Sequence, residues 1–243
     1  MNKKPKTYIY FIIDRSGSMK NTEKSVISDY NEQVQQQKQY SKDQDLLVSL
    51  ITFNGSIFEH VWNQDINSLV ELTAKDYSPN GSTAMFDAIG YCINTIEDRD
   101  DPNVAFLFYI ISDGQENASV KFSAKDLKNK INACKETGRW TFTYMGFSEN
   151  YLKEIANSTG IEISNCAVWS NSNVEEADHG LLQKRNLSNK YFAARSAGVV
   201  ENTCFYSDDV QVCADFTTVD KKVNSNVDLS CLDLDELKNK LKI

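Results

Sequence analysis

Residues 7–19 read TYIYFIIDRSGSM, and this stretch decides the fold. Tyr8–Ile13 is aromatic or β-branched at every position. A run without polar alternation suits a strand buried on both faces, as in a parallel sheet covered by helices. It stops at Asp14-Arg15-Ser16-Gly17-Ser18, which places a carboxylate and two hydroxyls within five residues. Gly17 lets the chain turn tightly between the serines. In open α/β sheets, ligands bind beyond the carboxyl ends of the strands, where the strand order reverses. A polar string at that end of a buried strand is therefore a candidate site.

Working outward, Met19–Tyr40 carries Val26, Ile27, Tyr30 and Val34 on one stripe at helical spacing. Leu46–Phe53 reads as a second strand. Asn54-Gly55 follows, and Asn-Gly between apolar runs is a strong hairpin signal, so Ser56–Val61 is expected to run antiparallel at an edge. Ile66–Tyr77 is expected to form a short helix, and residues 79–83 a turn-rich loop. Met85, Ile89, Cys92, Ile93 and Ile96 mark the next helix. Val104–Ile111, the longest apolar run, reads as the central strand and ends in Ser112-Asp113-Gly114. A helix over Ser123–Thr137 is stopped by Gly138. A strand over Trp140–Phe147, a helix over Glu149–Thr159, a short strand over Ile161–Trp169 and a helix over Val174–Ala197 complete the pattern. This alternation predicts an α/β fold: a doubly wound, mostly parallel central sheet with one antiparallel edge strand and helices on both faces. The crossovers should be right-handed. The pattern weakens from Gly198, with a short helix plausible only at Leu234–Leu241. The expected division is a domain over 1–197 and a tail or small annex over 198–243.

Composition narrows the function classes. Over 243 residues the net charge is −8, with 41% hydrophobic and 25% charged residues, which is ordinary globular composition. An acidic chain is poorly suited to phosphate backbones or anionic membranes, so neither nucleic acid nor membrane is an expected partner. The one basic cluster, Lys184, Arg185, Lys190 and Arg195, reads as a solvated helix face. Arg15 and Arg99 are expected to be solvated as well. Six cysteines form no CxxC pair and no zinc spacing. The basic N-terminus precedes too short an apolar run for a signal peptide, and no run reaches membrane-spanning length. A cytoplasmic location is the resulting expectation.

Three segments are predicted to meet at the carboxyl edge of the sheet: Asp14–Ser18, the loop ending in Thr83, and Asp113. Their side chains are all hard oxygen donors, which suit Mg²⁺, Mn²⁺ or Ca²⁺ rather than zinc or copper. Mg²⁺ takes six oxygens and readily keeps waters, so five side chains, some acting through water, leave room for an outside ligand. Singly, each residue reads as an ordinary turn or cap, and Thr83 could cap the following helix. Asp87 and Glu116 lie near the site in sequence; Asp87, in the first turn of that helix, suits its dipole and reads as a cap or supporting group, not a ligand.

With these residues in place, Phe11–Met19, Gly81-Ser82-Thr83-Ala84 and Ile111-Ser112-Asp113-Gly114 resemble a von Willebrand factor type A (VWA) domain and its metal-ion-dependent adhesion site. The resemblance runs from about Thr7 to Trp169, and no site position departs from the pattern. It implies that Ser16, Ser18 and Thr83 bind Mg²⁺ directly, that Asp14 and Asp113 often act through water, and that a partner's Glu or Asp carboxylate completes the site. It points to the short intracellular bacterial and phage members, some of which work with AAA+ ATPases or in tellurite-resistance and stress-response systems. A phage or other assembly component with a structural metal is the alternative.

An enzyme is not expected. The haloacid-dehalogenase pattern needs a second Asp where Ser16 stands, and receiver-type phosphoacceptors need a Lys where Ser148 and Glu149 follow the late strand. There is no Gly-x-Ser-x-Gly elbow and no phosphate loop. His60 and His179, the only histidines, lie in no catalytic motif. Metal-assisted hydrolysis is chemically conceivable with such a site, but no base stands near it.

Overall fold

The computed structural model describes residues 4–168, 188–201 and 205. Among these residues, six strands form one sheet in the order β3-β2-β1-β4-β5-β6. They are β1 (Lys6–Asp14), β2 (Asp45–Phe53), β3 (Ile57–Asp65), β4 (Val104–Ile111), β5 (Trp140–Gly146) and β6 (Cys166–Val168). All neighbours are parallel except β2 and β3, which the Asn54–Ser56 turn joins as an antiparallel hairpin at the sheet's edge. The helices are α1 (Glu23–Lys38), α2 (Met85–Thr95), α3 (Ala124–Lys135) and α4 (Glu149–Thr159), with helical residues 188–196 as α5. None of the described helices is long and apolar enough to cross a membrane.

The unbroken apolar run of β1 feeds two cores. Tyr8, Tyr10 and Ile12 face α2, α3 and α4, whereas Ile9, Phe11 and Ile13 face α1 and α5. β4 alternates in the same way, with Phe106, Phe108 and Ile110 on the first face and Leu107, Tyr109 and Ile111 on the second. Aromatic pairs tie neighbouring strands across the first face: Tyr10–Phe108 at 4.8 Å, Phe106–Trp140 at 4.2 Å and Phe108–Phe142 at 4.7 Å between centroids. Cross-strand pairs of this kind hold the register of a sheet, because a slip by one residue would turn each ring to the opposite face.

Several expectations change. Residues 66–77 hold a single 3-10 turn, Ile66–Ser68, in place of the expected helix. The rest is held by distant partners: Asn31 exchanges two hydrogen bonds with the Leu72 backbone, and the Tyr77 hydroxyl donates to the Asp14 carbonyl at 2.5 Å. Among the described residues the last strand spans Cys166–Val168, and a 3-10 turn stands where the expected strand begins. Arg195 is not solvated but fully buried. Its guanidinium donates to Thr7 Oγ1, to the Lys6 carbonyl and to the Val199 carbonyl, fastening α5 to the start of β1. Arg99 is exposed, yet it donates to the Ile93 and Ile96 carbonyls at the end of α2. Arg15 is half-buried, with its guanidinium 4.4 Å from the centre of the Phe58 ring. Lys184, Arg185, residues 174–187 of the expected last helix, and 234–241 lie outside the described residues. Cys92, Cys134 and Cys166 are free thiols, each pushed above its ordinary pKa by burial.

Candidate metal centre

The site forms where the strand order reverses, between β1 and β4. Asp14 is the last residue of β1 and is fully buried. Its Oδ1 accepts the Ser16 N–H at 2.6 Å, so the chain folds back over its own carboxylate as an Asx turn. Its Oδ2 accepts the Ser112 hydroxyl at 2.6 Å, which locks the end of β1 to the end of β4. Burial pushes the Asp14 carboxyl above its ordinary range. The charge of Asp113 adds to that rise, and the bonds from Ser112 and Ser16 oppose it.

The other donors close round this carboxylate. The Ser16 and Ser18 hydroxyls lie 3.0 Å apart, and Ser18 donates to Asp113 Oδ1 at 2.7 Å. Gly17 N–H donates to the Gly81 carbonyl at 3.0 Å, and Asn80 N–H to the Arg15 carbonyl at 2.7 Å, which zips the Asp14–Ser18 loop to the Thr83 loop. Gly81 takes φ of +80°, a conformation that favours glycine. Gly114 marks the centre of the cluster. A Cβ built there would stand 3.2 Å from Thr83 Oγ1, 3.4 Å from Ser18 Oγ and 3.5 Å from Asp14 Oδ2. All five residues singled out in the sequence are thus brought together.

The donor set fits a hard divalent cation. Among the described residues, no three His, Cys, Asp or Glu side chains gather to hold a metal, and the cluster itself consists of two carboxylates and three hydroxyls. No described Lys or Arg donates to these five side chains. Arg15, next along the chain, turns its guanidinium to the Ser78 carbonyl and the Phe58 ring instead. Thr83 is 3% exposed, and its hydroxyl makes no hydrogen bond among the described residues. It is not spent on capping: Ala84 is the N-cap of α2 and offers no side-chain bond.

Tyrosine hydroxyls hold the loops from below. Tyr77 binds the Asp14 carbonyl, Tyr144 the Ser112 carbonyl at 2.9 Å, and Tyr151 the Gly114 carbonyl at 2.6 Å. Sequence reading placed Glu116 near the site without giving it a role, and did not single out Ser112 or Asn117 as part of this framework. Ser112 had a signal, as a small polar residue ending an apolar strand beside Asp113. Asn117 had none, because its partner lies 34 residues away. Asp87 is a supporting group: it lies in the first turn of α2, as expected, and its carboxylate also accepts the backbone N–H groups of Val120, Lys121 and Phe122.

A doubly wound α/β domain with hard oxygen donors gathered at its switch point is the class that fold and site define. Residues 9–184 match the von Willebrand factor type A domain, and the chain belongs to that family, whose members serve as protein-interaction modules. A search of curated proteins found no match. Among solved structures, BatB from Bacteroides thetaiotaomicron is similar at 14% identity and a TM-score of 0.51, over 77% of this chain and 98% of that one. The VWA-type domain of the pilus tip protein Mfa5 from Porphyromonas gingivalis aligns at 12% identity and 0.52, over 76% and 96%. The pilus adhesin SpaC from Lactobacillus rhamnosus GG aligns at 12% identity and 0.57, and this chain spans only 31% of its length. At these identities the likeness is one of fold.

Proposed function

We propose that this domain grips a partner protein through a divalent cation held by Asp14, Ser16, Ser18, Thr83 and Asp113. Mg²⁺ is the leading ion, and Mn²⁺ or Ca²⁺ would suit the same oxygens. The observation that carries this reading is the cradle at Gly114, where Thr83, Ser18 and Asp14 oxygens face one small space. A cation there would act as an electrophile for an outside oxygen. Two carboxylates balance a dication, and a carboxylate that acts only through water leaves the ion short of negative ligands. An acidic side chain of a partner is the ligand that fits.

Binding without catalysis is the reading we favour. His60 Nε2 is 2.8 Å from Thr52 Oγ1 on the β2–β3 hairpin, outside the cluster. For its setting, the resemblance to short intracellular members suggests an AAA+ ATPase as a companion. An ATPase among the neighbouring genes is the expectation, whereas neighbouring virion genes would favour a structural metal in an assembly. The direct test is affinity capture with and without EDTA, read by mass spectrometry, in wild type and Asp14→Ala. Partners present only with wild type and metal support the reading. Recovery of the same partners by Asp14→Ala or in EDTA would overturn it.

A further inference from the structure

The first turn of α2 is capped from another loop. Helix N-termini leave their first amides without intrahelical partners, and a Ser, Thr, Asp or Asn just before the helix commonly fills the need. Here Glu116 Oε2 accepts the Phe86 N–H at 2.9 Å and Ser119 Oγ accepts the Asp87 N–H at 3.0 Å. Asp87 returns the exchange by accepting from Val120, Lys121 and Phe122, each at 2.9 Å. Glu116 Oε1 also accepts from Ala118 and Ser119, at 2.9 and 2.7 Å, which shapes the loop from within. The segment 114–122 is thereby latched to the helix that follows Thr83.

Asn117 is the point where the latch meets the site. Its Oδ1 accepts the Thr83 N–H at 2.9 Å. The Thr83 carbonyl in turn accepts the N–H groups of Asn117 and Ala118, at 3.0 and 3.1 Å. The side-chain orientation is unambiguous, since an N–H donor requires the amide oxygen opposite it. Thr83 is therefore held at both of its peptide groups by one neighbouring loop. With both groups held, the direction of its Cα–Cβ bond, and so the reach of Oγ1, is set by that loop. The same loop begins at Asp113 and Gly114.

We propose that Asn117 is the positioning residue for Thr83, so that one loop sets two of the metal's oxygen donors together. This inference rests on the metal reading above. It predicts that metal binding through Thr83 and through Asp113 is a single mechanical event, transmitted across the Asn117–Thr83 hydrogen bonds. Partners of this outer kind commonly change metal affinity by about 10–100-fold when removed.

The test is Mg²⁺ affinity by titration calorimetry on the EDTA-stripped full chain. Asn117→Ala should weaken binding about tenfold or more, with melting in EDTA shifted little. Asn117→Asp keeps the acceptor and should bind at least as well as wild type. Because Asp also adds charge, Asn117→Ala/Gln115→Glu supplies a similar charge from an exposed side chain without the acceptor, and should remain weak. If wild type binds Mg²⁺ and Asn117→Ala binds within twofold of it, or the double variant regains full affinity, the positioning role is wrong while the metal site stands. If wild type itself binds no Mg²⁺, both readings fall. A measurement on wild type guards against a variant that fails to fold. Mg²⁺ should slow amide exchange at Thr83, Asn117 and Ala118 together, and slowing confined to residues 14–18 would overturn the inference.

Discussion

The two edges of the sheet solve the same problem in opposite ways. At both edges, loops gather oxygen atoms that need positive partners. At the amino edge the chain supplies its own cations. Arg195 donates to Thr7 and to the Lys6 and Val199 carbonyls, Arg139 donates to the carbonyls of Arg99, Asp101 and Val104, and Lys6 pairs with Asp98. At the carboxyl edge, Asp14, Ser16, Ser18, Thr83 and Asp113 bring carboxylates and hydroxyls together, and no described Lys or Arg donates to them. The difference separates a closed structural clasp from a set of donors suited to an external cation. It also says what each edge should be sensitive to: substitution at one, metal at the other.

The largest expected effect breaks the amino edge. Removing a buried guanidinium leaves its carbonyl partners without donors and opens a cavity at the start of β1. Arg195→Ala should cost about 3 kcal/mol in urea unfolding, the size expected when buried acceptors lose bonds from a charged donor. The loss should be equal in EDTA and in Mg²⁺. A loss that depended on metal would mean the two edges are not independent.

At the carboxyl edge the sign should reverse with conditions. Without metal, ionised Asp14 is buried beside Asp113, and its raised pKa marks a charged form that the fold disfavours. Asp14→Asn should therefore be as stable as wild type in EDTA at pH 7, or slightly more so. In Mg²⁺ at ten times its dissociation constant, wild type should gain about 1.4 kcal/mol by linkage. That corresponds to about 3–6 °C in melting temperature for a domain of this size. Asp14→Asn should gain almost none of it, and thermal melts of both proteins in both buffers decide the matter.

The smallest effect lies at the edge hairpin. Burial, and then the charge of Arg15, hold the His60 pKa below its ordinary value. The folded state thus binds fewer protons there than the unfolded chain. Its contribution to stability is complete above about pH 6.5, the unfolded value, and is lost as pH falls through the folded pKa. His60→Gln should flatten that part of the stability profile, as read from urea midpoints between pH 7.5 and 5. An unchanged profile would remove His60 as its source.

What was legible in the sequence follows from how far each interaction reaches. The strands declared themselves through local runs such as Tyr8–Ile13 and Val104–Ile111, and the hairpin through Asn54-Gly55. The candidate ligands were legible because each sits at the end of such a run or in a turn-rich loop next to a helix. Residues 66–77 were misread because their order comes from Asn31 and Asp14, far along the chain, and not from a helical period. Arg195 looked like a surface charge because two of its three partners, Thr7 and Lys6, lie 188 and 189 residues away. Asn117 was invisible for the same reason. Local chemistry marks the donors themselves, while the groups that aim them become visible only once the chain is folded.

The central claim is that the five oxygen donors hold a divalent cation. Calorimetric titration of Mg²⁺ into EDTA-stripped protein, wild type beside Thr83→Ala, tests it most directly. The account predicts one saturable site per chain in wild type and affinity at least about tenfold weaker in a Thr83→Ala protein that melts normally. No heat of binding in wild type, or equal affinity in the two proteins, would contradict it.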